Sequence, residues 1–446
     1  MKRKNVLFSF YLHKAVYYTG FGIAALFALS YFLPLLFTIA LLLSLFLVIA
    51  LLIDGVLLFS SQKGIIASRQ MPERLSNGDD NKIAITLFNH FPFTAFCTVI
   101  DELPYQFQQR NWQRKLQLNK GEKGIIEYVL KPVERGVYDF GAINVYVSGP
   151  LRLVQRRFII DGSKKVKVYP SFIQMKRYQL LAIGNKLSEA GTKKVRRLGH
   201  SMEFEQIKEY VRGDDYRTIN WKATARHGNL MVNNFTDERS QQIFCLINKS
   251  RIMKMPFGGM TLLDYAVNAS LVLVNTALHK QDKAGLITFA ENVDTFISAD
   301  KKPAQLNVIL EALYQQQTRF LEPDLEKLFS VVRNRITQRS LLVLFTNFET
   351  VESLQRDLPM LKRLAHYHLL MVVFFENTEL QALIEKKAET TEEIYIKTIA
   401  QKYQYEKKRM VKELHQHGII AILTPPQKLT VNTLNKYLEL KNRQSI

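Results

Sequence analysis

Residues 242–279, QIFCLINKSRIMKMPFGGMTLLDYAVNASLVLVNTALH, set the class of the fold. IFCLIN is an apolar run of strand length. The segment after it carries Leu263, Val267, Leu271 and Val274 at helical spacing. A strand without polar alternation is covered on both faces, as in a parallel sheet flanked by helices. The alternation continues downstream. AGLITFA (284–290) and DTFISA (294–299) read as strands, QLNVILEALYQQ (305–316) and LEKLFSVVRNRI (325–336) as helices. SLLVLFTN (340–347), LKRLAHYHLLMVVFF (361–375) and GIIAILTPP (418–426) extend the pattern, and LTVNTLNKYLEL (429–440) closes it. The pattern predicts an α/β domain with a mostly parallel, Rossmann-type sheet over residues 241–446. Ligands of such sheets bind beyond the carboxyl ends of the strands. Two loops therefore matter: Asn248-Lys249-Ser250-Arg251-Ile252-Met253 after the first strand, and Thr346-Asn347-Phe348-Glu349 after the central one.

Working outward, residues 171–240 read as a polar, basic connection without an amphipathic repeat. It contains the turn Gly213-Asp214-Asp215 and Trp221, one of two tryptophans. Before it, residues 63–170 hold short β-rich runs (KIAITLFN, TAFCTVIDEL, KLQLN, GIIEYVLKP, INVYVSG, VKVYP) separated by turn signals such as SNGDDN and NKGEKG. Short, evenly spaced strands predict an all-β sandwich of immunoglobulin-like size.

Residues 1–62 are of another kind. Ala15 to Ile53 contains no charged residue. As one helix this run would be ~58 Å long, against a hydrocarbon core of ~30 Å. That is twice too long for one crossing. Pro34 is the natural break, so a transmembrane helical hairpin is expected, with spans at about 15–33 and 36–58. Lys2, Arg3, Lys4 and Lys14 precede it and Lys63, Arg69 and Arg74 follow it, whereas the connection has no basic residue. By the positive-inside rule the N-terminus and the soluble domains are cytoplasmic, on a bacterial inner membrane. Asp54, a carboxylate near the cytoplasmic end of the second span, is a functional candidate by its position, although its shallow depth also allows solvation at the interface.

The net charge is +21. A surface this basic suits anionic lipid headgroups, and could equally meet nucleic acid or an acidic protein. No aromatic platform for single strands interleaves the charges, so nucleic acid is not the expected partner. Cys97 and Cys245 lie far apart within apolar runs and are expected as buried free thiols. The sequence has no P-loop, H-E-x-x-H, C-x-x-C or G-x-S-x-G motif, so no catalytic residue is assigned and a non-enzymatic role is expected. His366/His368 and His415/His417 are H-x-H pairs better suited to helix ends than to metal.

The stretch EFEQIKEYVRGDDYRTINWKATARHGNLMVNNFTDER (203–239) resembles the signature of the domain of unknown function fifty-eight family, membrane-anchored proteins with a von Willebrand factor A-like domain associated with MoxR ATPases. The hairpin, GDDNKIAITLFN and KPVERGVYDFGAINVYVSGPLRLVQRR match its layout, so the resemblance extends along essentially the whole chain. It implies a MoxR-type AAA+ ATPase as partner, beside membrane lipid and other envelope proteins. In von Willebrand factor A domains an Asp-x-Ser-x-Ser loop and a later aspartate hold a divalent ion. Carried onto this chain, those positions are Asn248, Ser250, Ile252 and Asn347, and only Glu322 and Pro323 lie near the place of the expected threonine. Magnesium needs charged oxygen ligands, so the site is expected to be degenerate, with no cofactor unless Ser250 and the amides still hold Mg2+. Lys249 and Arg251 should make it electropositive. In the signature, Glu203, Glu209, Tyr210, Gly213, Asp214, Asp215, Arg217, Lys222 and Arg226 are expected in a charged network joining the domains or docking a partner, with Trp221 as apolar anchor.

The resulting expectation is a membrane-anchored scaffold or adaptor that binds proteins and works in assembly or maturation of envelope or secreted complexes. The alternatives are a metal-dependent adhesion-type binder and, further off, a basic nucleic-acid-binding membrane protein.

Overall fold

In the computed structural model, residues 9–61, 64–183, 203–211, 214–236, 240–385 and 387–443 are described. The chain divides into two units, Met1–Tyr169 and Pro170–Ile446. It is a mixed α/β protein with several sheets and an apolar N-terminal region.

The first unit opens with a short strand just ahead of the first expected span. In order come β1 (Phe10–Leu12), α1 (Lys14–Leu29), α2 (Leu35–Ser60), β2 (Ile65–Gln70), β3 (Arg74–Ser76), β4 (Asn81–Asn89), β5 (Ala95–Asp101), β6 (Gln113–Leu118), β7 (Lys123–Leu130), β8 (Gly136–Phe140), β9 (Ile143–Ser148), β10 (Val154–Ile160) and β11 (Lys164–Tyr169). They form sheets of order β1-β10-β9-β5-β6, β2-β4-β7 and β3-β11-β8. Period-2 burial along β4 turns Ile83, Ile85 and Leu87 into a core shared with Val99, Val145, Val147 and Tyr138. Cys97 is buried there as a free thiol, and burial pushes it up to about 12.

α2 is long and apolar enough to cross a membrane, while α1 is a shorter apolar helix. α1 stops at Leu29 rather than near Pro34, because Ser30 closes its last turn through bonds to Leu26 and Ala28 carbonyls. Pro34 sits at the N-cap of α2, where a missing N–H costs nothing. The lower end of α2 is built into the β-structure. Leu58 joins the β core. Arg156 donates to the Leu58 and Ser61 carbonyls at 2.7 and 2.6 Å and lies over the Phe59 ring. Upstream of α1, β1 pairs antiparallel with β10, Phe10 opposite Arg156 and Leu12 opposite Val154. Both ends of the apolar segment thus grip β10.

The second unit contains α3 (Phe172–Ile183), β12 (Glu203–Glu209), α4 (Trp221–His227), β13 (Met231–Thr236), β14 (Gln242–Asn248), β15 (Pro256–Phe257), β16 (Met260–Thr261), α5 (Leu262–His279), β17 (Lys283–Phe289), β18 (Val293–Asp300), α6 (Gln305–Tyr314), α7 (Leu325–Arg335), β19 (Leu341–Phe345), α8 (Val351–Tyr367), β20 (Leu369–Phe375), α9 (Thr378–Glu385), α10 (Thr391–Gln416), β21 (Ile420–Thr424) and α11 (Leu429–Asn442). Its main sheet has the order β18-β17-β14-β19-β20-β21, parallel except for the edge strand β18. Ile243, Cys245 and Ile247 of β14 face α5, α6 and α11, while Phe244 and Leu246 face α7, α8 and α10. That two-sided burial is why IFCLI has no polar alternation.

Two expectations need correction. Residues 171–240 are more than a connection: α3 packs on α5, the Ser171 N–H donates to Asn268 at 2.8 Å, and β12 and β13 form an antiparallel pair. The 26-residue α10 was not read from the sequence at all. Its one-sided apolar stripe is diluted by charged residues, although Thr390 and Glu393 form the capping box that starts it.

Candidate functional site

The strand order reverses at β14: the chain moves to β17 on one side and later to β19 on the other. The crevice above the carboxyl ends of β14 and β19 is the place where such sheets bind ligands. Asn248 ends β14, and both ends of its amide are occupied. Its Oδ1 accepts from the Ser250 N–H at 2.9 Å, and its Nδ2 donates to Thr346 Oγ1 at 3.0 Å. This Asx-type closure fixes the loop from within. Ser250 is fully buried, and its Oγ has no hydrogen-bond partner.

The positive charges expected in this loop are largely consumed. Lys249 is buried against Asp294 at 2.6 Å and also donates to Gln316 at 3.3 Å. Arg251 pairs with Glu322 at 2.6 Å. The cation that reaches the site comes from α10. Lys407 donates through Nζ to Asn347 Oδ1 at 2.9 Å and to the Phe348 carbonyl. Burial pushes the Lys407 ammonium down to about 8, and the charge of Glu349 acts in the opposite direction.

These donors do not fit a hard divalent ion. The Asn248 amide is spent, Asn347 Oδ1 already receives an ammonium, and no carboxylate is available from either asparagine position to compensate a double charge. Among the described residues no three His, Cys, Asp or Glu side chains are grouped to hold a metal. The H-x-H pairs stand at helix ends. His366 and His368 close α8, and His415 Nε2 accepts from the Ala421 N–H at 3.3 Å near the end of α10.

Lys407 and Asn347 also line a cavity of about 500 Å3 between the sheet edge, α9 and α10. Its walls are mainly apolar, among them Phe257, Phe375, Ile396, Ile399 and Tyr403, with Glu349 and Glu376 as its carboxylates.

Several of the signature residues make local hydrogen bonds. Asp214 accepts from Lys208 Nζ at 2.8 Å and from the Val211 N–H at 3.0 Å; these bonds hold its carboxyl below the ordinary range. Asp215 accepts from the Arg217 N–H at 3.0 Å, and the Arg217 guanidinium lies 5.7 Å from the Tyr216 ring centre. Glu209 accepts from Asn229 at 3.2 Å, and the Tyr210 N–H donates to the Leu230 carbonyl at 2.8 Å. Asn220 caps α4, which ends at Gly228, held at φ +77°. Lys222 and Arg226 are exposed on α4. Trp221, expected as the apolar anchor of a domain staple or a docking surface, is 70% exposed. Its neighbour Ala223 takes the inward position on so short a helix. Gly213 and the side chain of Glu203 lie outside the described residues. In the first unit, Asp54 is fully buried rather than solvated. Its Oδ2 accepts from the N–H groups of Leu153 and Val154 at 3.0 and 2.9 Å.

The family match falls within the second unit. Residues 206–413 match the family described as "Protein of unknown function DUF58", a narrower match than the whole-chain resemblance expected. The uncharacterized protein YeaD of Bacillus subtilis (strain 168) is 26% identical over 202 residues, covering 44% of this chain and 50% of YeaD. The chain thus matches about half the length of that curated relative. Among solved structures, the conserved hypothetical protein BatB from Bacteroides thetaiotaomicron aligns with 46% of this chain and 100% of its own, at 11% identity and a TM-score of 0.32. The CARDB domain of a Pyrococcus furiosus protein, solved with di-metal ions, covers 23% of this chain and 86% of its own, at 12% identity and a TM-score of 0.18. At such TM-scores neither likeness bears on the fold. Residues 206–413, which carry most of the signature stretch together with Asn248, Asn347 and Lys407, are thus the part of the chain that is similar to the DUF58 family.

Proposed function

We propose that this protein is a membrane-anchored, non-enzymatic adaptor whose von Willebrand factor A-like α/β unit binds other proteins at the carboxyl edge of its sheet. The partner implied by the family resemblance is a MoxR-type AAA+ ATPase, and the setting is assembly or maturation of envelope or secreted complexes. The observation that carries the reading is the bond from Lys407 Nζ to Asn347 Oδ1. A fixed ammonium occupies the acceptor that a divalent ion would need, so recognition at this edge requires no metal.

Support for a two-span anchor comes from the ends of the apolar segment. β1 and the lower end of α2 both hold β10, and a segment that leaves and re-enters one folded unit crosses a bilayer an even number of times. Residues 35–53 of α2, above Asp54, rise about 28 Å, close to one hydrocarbon thickness. The basic residues beside the segment favour a cytoplasmic location of both units.

The test uses the full chain crosslinked in native membranes and isolated with its partners. Recovery of a MoxR-type ATPase by the wild type, reduced at least tenfold by Lys407→Glu, is the expected result. Failure to recover the ATPase, or equal recovery by both proteins, refutes the proposal. A metal-dependent mode has one observation in its favour, the unpartnered buried hydroxyl of Ser250; manganese binding decides between the two.

A further inference from the structure

The cavity beside Lys407 has the size and wall chemistry of a small-molecule site. Such sites are typically ~300–1,000 Å3, mainly apolar, with a few converging polar groups. Here the volume is about 500 Å3. One wall is a face of α10: Ile396, Ile399, Ala400, Tyr403 and Lys407 recur at helical spacing and all line it. Phe257 and Phe375 come from the sheet side, and Leu380 and Ile384 from α9.

The polar end selects a head group. An ammonium has three N–H donors. Lys407 gives two of them to Asn347 Oδ1 and the Phe348 carbonyl. One donor remains, on a cation whose two hydrogen-bond acceptors are neutral and whose other neighbour is the Phe374 ring at 5.6 Å. A neutral amide and a carbonyl solvate a buried ammonium without cancelling its charge. The titratable groups facing the cavity are Lys407, Glu349, Glu376 and Tyr403. Glu349 is exposed to solvent and Glu376 is half-buried, so their charges are partly screened by water. They still count against a dianion such as a phosphate monoester, which would meet two carboxylates and a single free N–H. A cationic head would have to sit beside the lysine. A single carboxylate on an apolar body satisfies both the free donor and the walls.

We infer that this cavity is a binding site for a small apolar carboxylate of the medium-chain fatty-acid class, its carboxylate on Lys407 and its hydrocarbon body between α9, α10 and the ends of the sheet. The inference concerns a ligand of the α/β unit and stands whether or not an ATPase is the protein partner. It carries a pH signature. A bound carboxylate favours the charged lysine, so binding takes up a proton once the free ammonium has begun to titrate. Affinity is then highest below pH 8 and falls as pH rises through the range where burial has placed Lys407.

The experiment is calorimetric titration of octanoate, and of its neutral isostere octanamide, into the full chain in zwitterionic lipid nanodiscs, with empty nanodiscs subtracted. Octanoate is expected to bind at pH 7 at least tenfold more tightly than octanamide, and to weaken by about tenfold at pH 9.5. Lys407→Met should remove the preference for the acid and the pH dependence together. Ile399→Trp, which narrows the cavity without touching the lysine, should weaken both probes. Equal affinity for acid and amide, octanoate binding unchanged by Lys407→Met, or no binding of octanoate by the wild type would each overturn the inference.

Discussion

Asp54 and Lys407 are charged side chains of opposite sign, each carried by a 26-residue helix into apolar surroundings. Neither is neutralised in the way a surface charge usually is. Asp54 is held by two backbone N–H groups at the start of β10, and Lys407 by an asparagine oxygen and a backbone carbonyl. Both rely on fixed dipoles, and the consequences differ. Asp54 is sealed, with Gly149 so close that an added Cβ would stand 2.4 Å from its Oδ1. Lys407 borders a cavity and keeps one donor free. A buried charge whose bonds are enclosed by packing serves structure, whereas one that still faces open space is available to a ligand.

The comparison can be broken first at Asp54. Asp54→Leu leaves the Leu153 and Val154 N–H groups buried without an acceptor. The expected loss is about 3–6 kcal/mol, from two bonds to a charged acceptor at roughly 1.5–3 kcal/mol each. Pulse proteolysis of the full chain in nanodiscs measures it, and Asp54→Asn, which keeps an oxygen, should lose less than half as much. Gly149→Ala attacks the same contact from the other side. Overpacking of this kind costs about 1–3 kcal/mol, and the same proteolysis should report it without altering octanoate affinity.

At Lys407 the contrast appears as pH dependence. Between pH about 8 and the ordinary lysine range near 10.5, the unfolded chain retains a proton that the folded chain has released. Stability therefore gains from this residue as pH rises through that window, the reverse of an ordinary salt-bridged lysine. Denaturant unfolding of wild type and Lys407→Met at pH 7.5 and 9.5 should show this gain in the wild type alone. Asn347→Asp puts a carboxylate against the ammonium, so it should raise the lysine above 8 and erase the effect. The smallest change is expected at Trp221: on a side chain 70% exposed, Trp221→Ser should move stability by less than ~0.5 kcal/mol.

The same contrast explains what could be read from the sequence. Asp54 was conspicuous because nothing else in its helix is charged; Lys407 lies in YEKKRMVKE, where it is one of four basic residues. Apolar strands such as IFCLI and SLLVLF announce themselves, since burial on both faces removes polar residues from the interior of the strand. Asn248, Ser250 and Asn347 were found because the carboxyl ends of such strands are known places. Their meaning was not legible, because the cation that meets Asn347 enters from 60 residues away on a helix whose stripe was missed. The Thr390-Glu393 capping box was the available signal. The exposure of Trp221 was not legible from its motif, because it follows from the length of α4, which has seven residues and buries Ala223. β1 is only three residues and takes its strand form from β10, a partner more than 140 residues away.

The most direct measurement concerns the cation at the edge of the sheet. Manganese is titrated into the full chain in nanodiscs and followed by electron paramagnetic resonance, with Ser250→Ala as control. The ammonium of Lys407 on Asn347 leads to the expectation that the wild type shows no saturable site at micromolar manganese and matches the control. A saturable micromolar site that disappears in Ser250→Ala would contradict it.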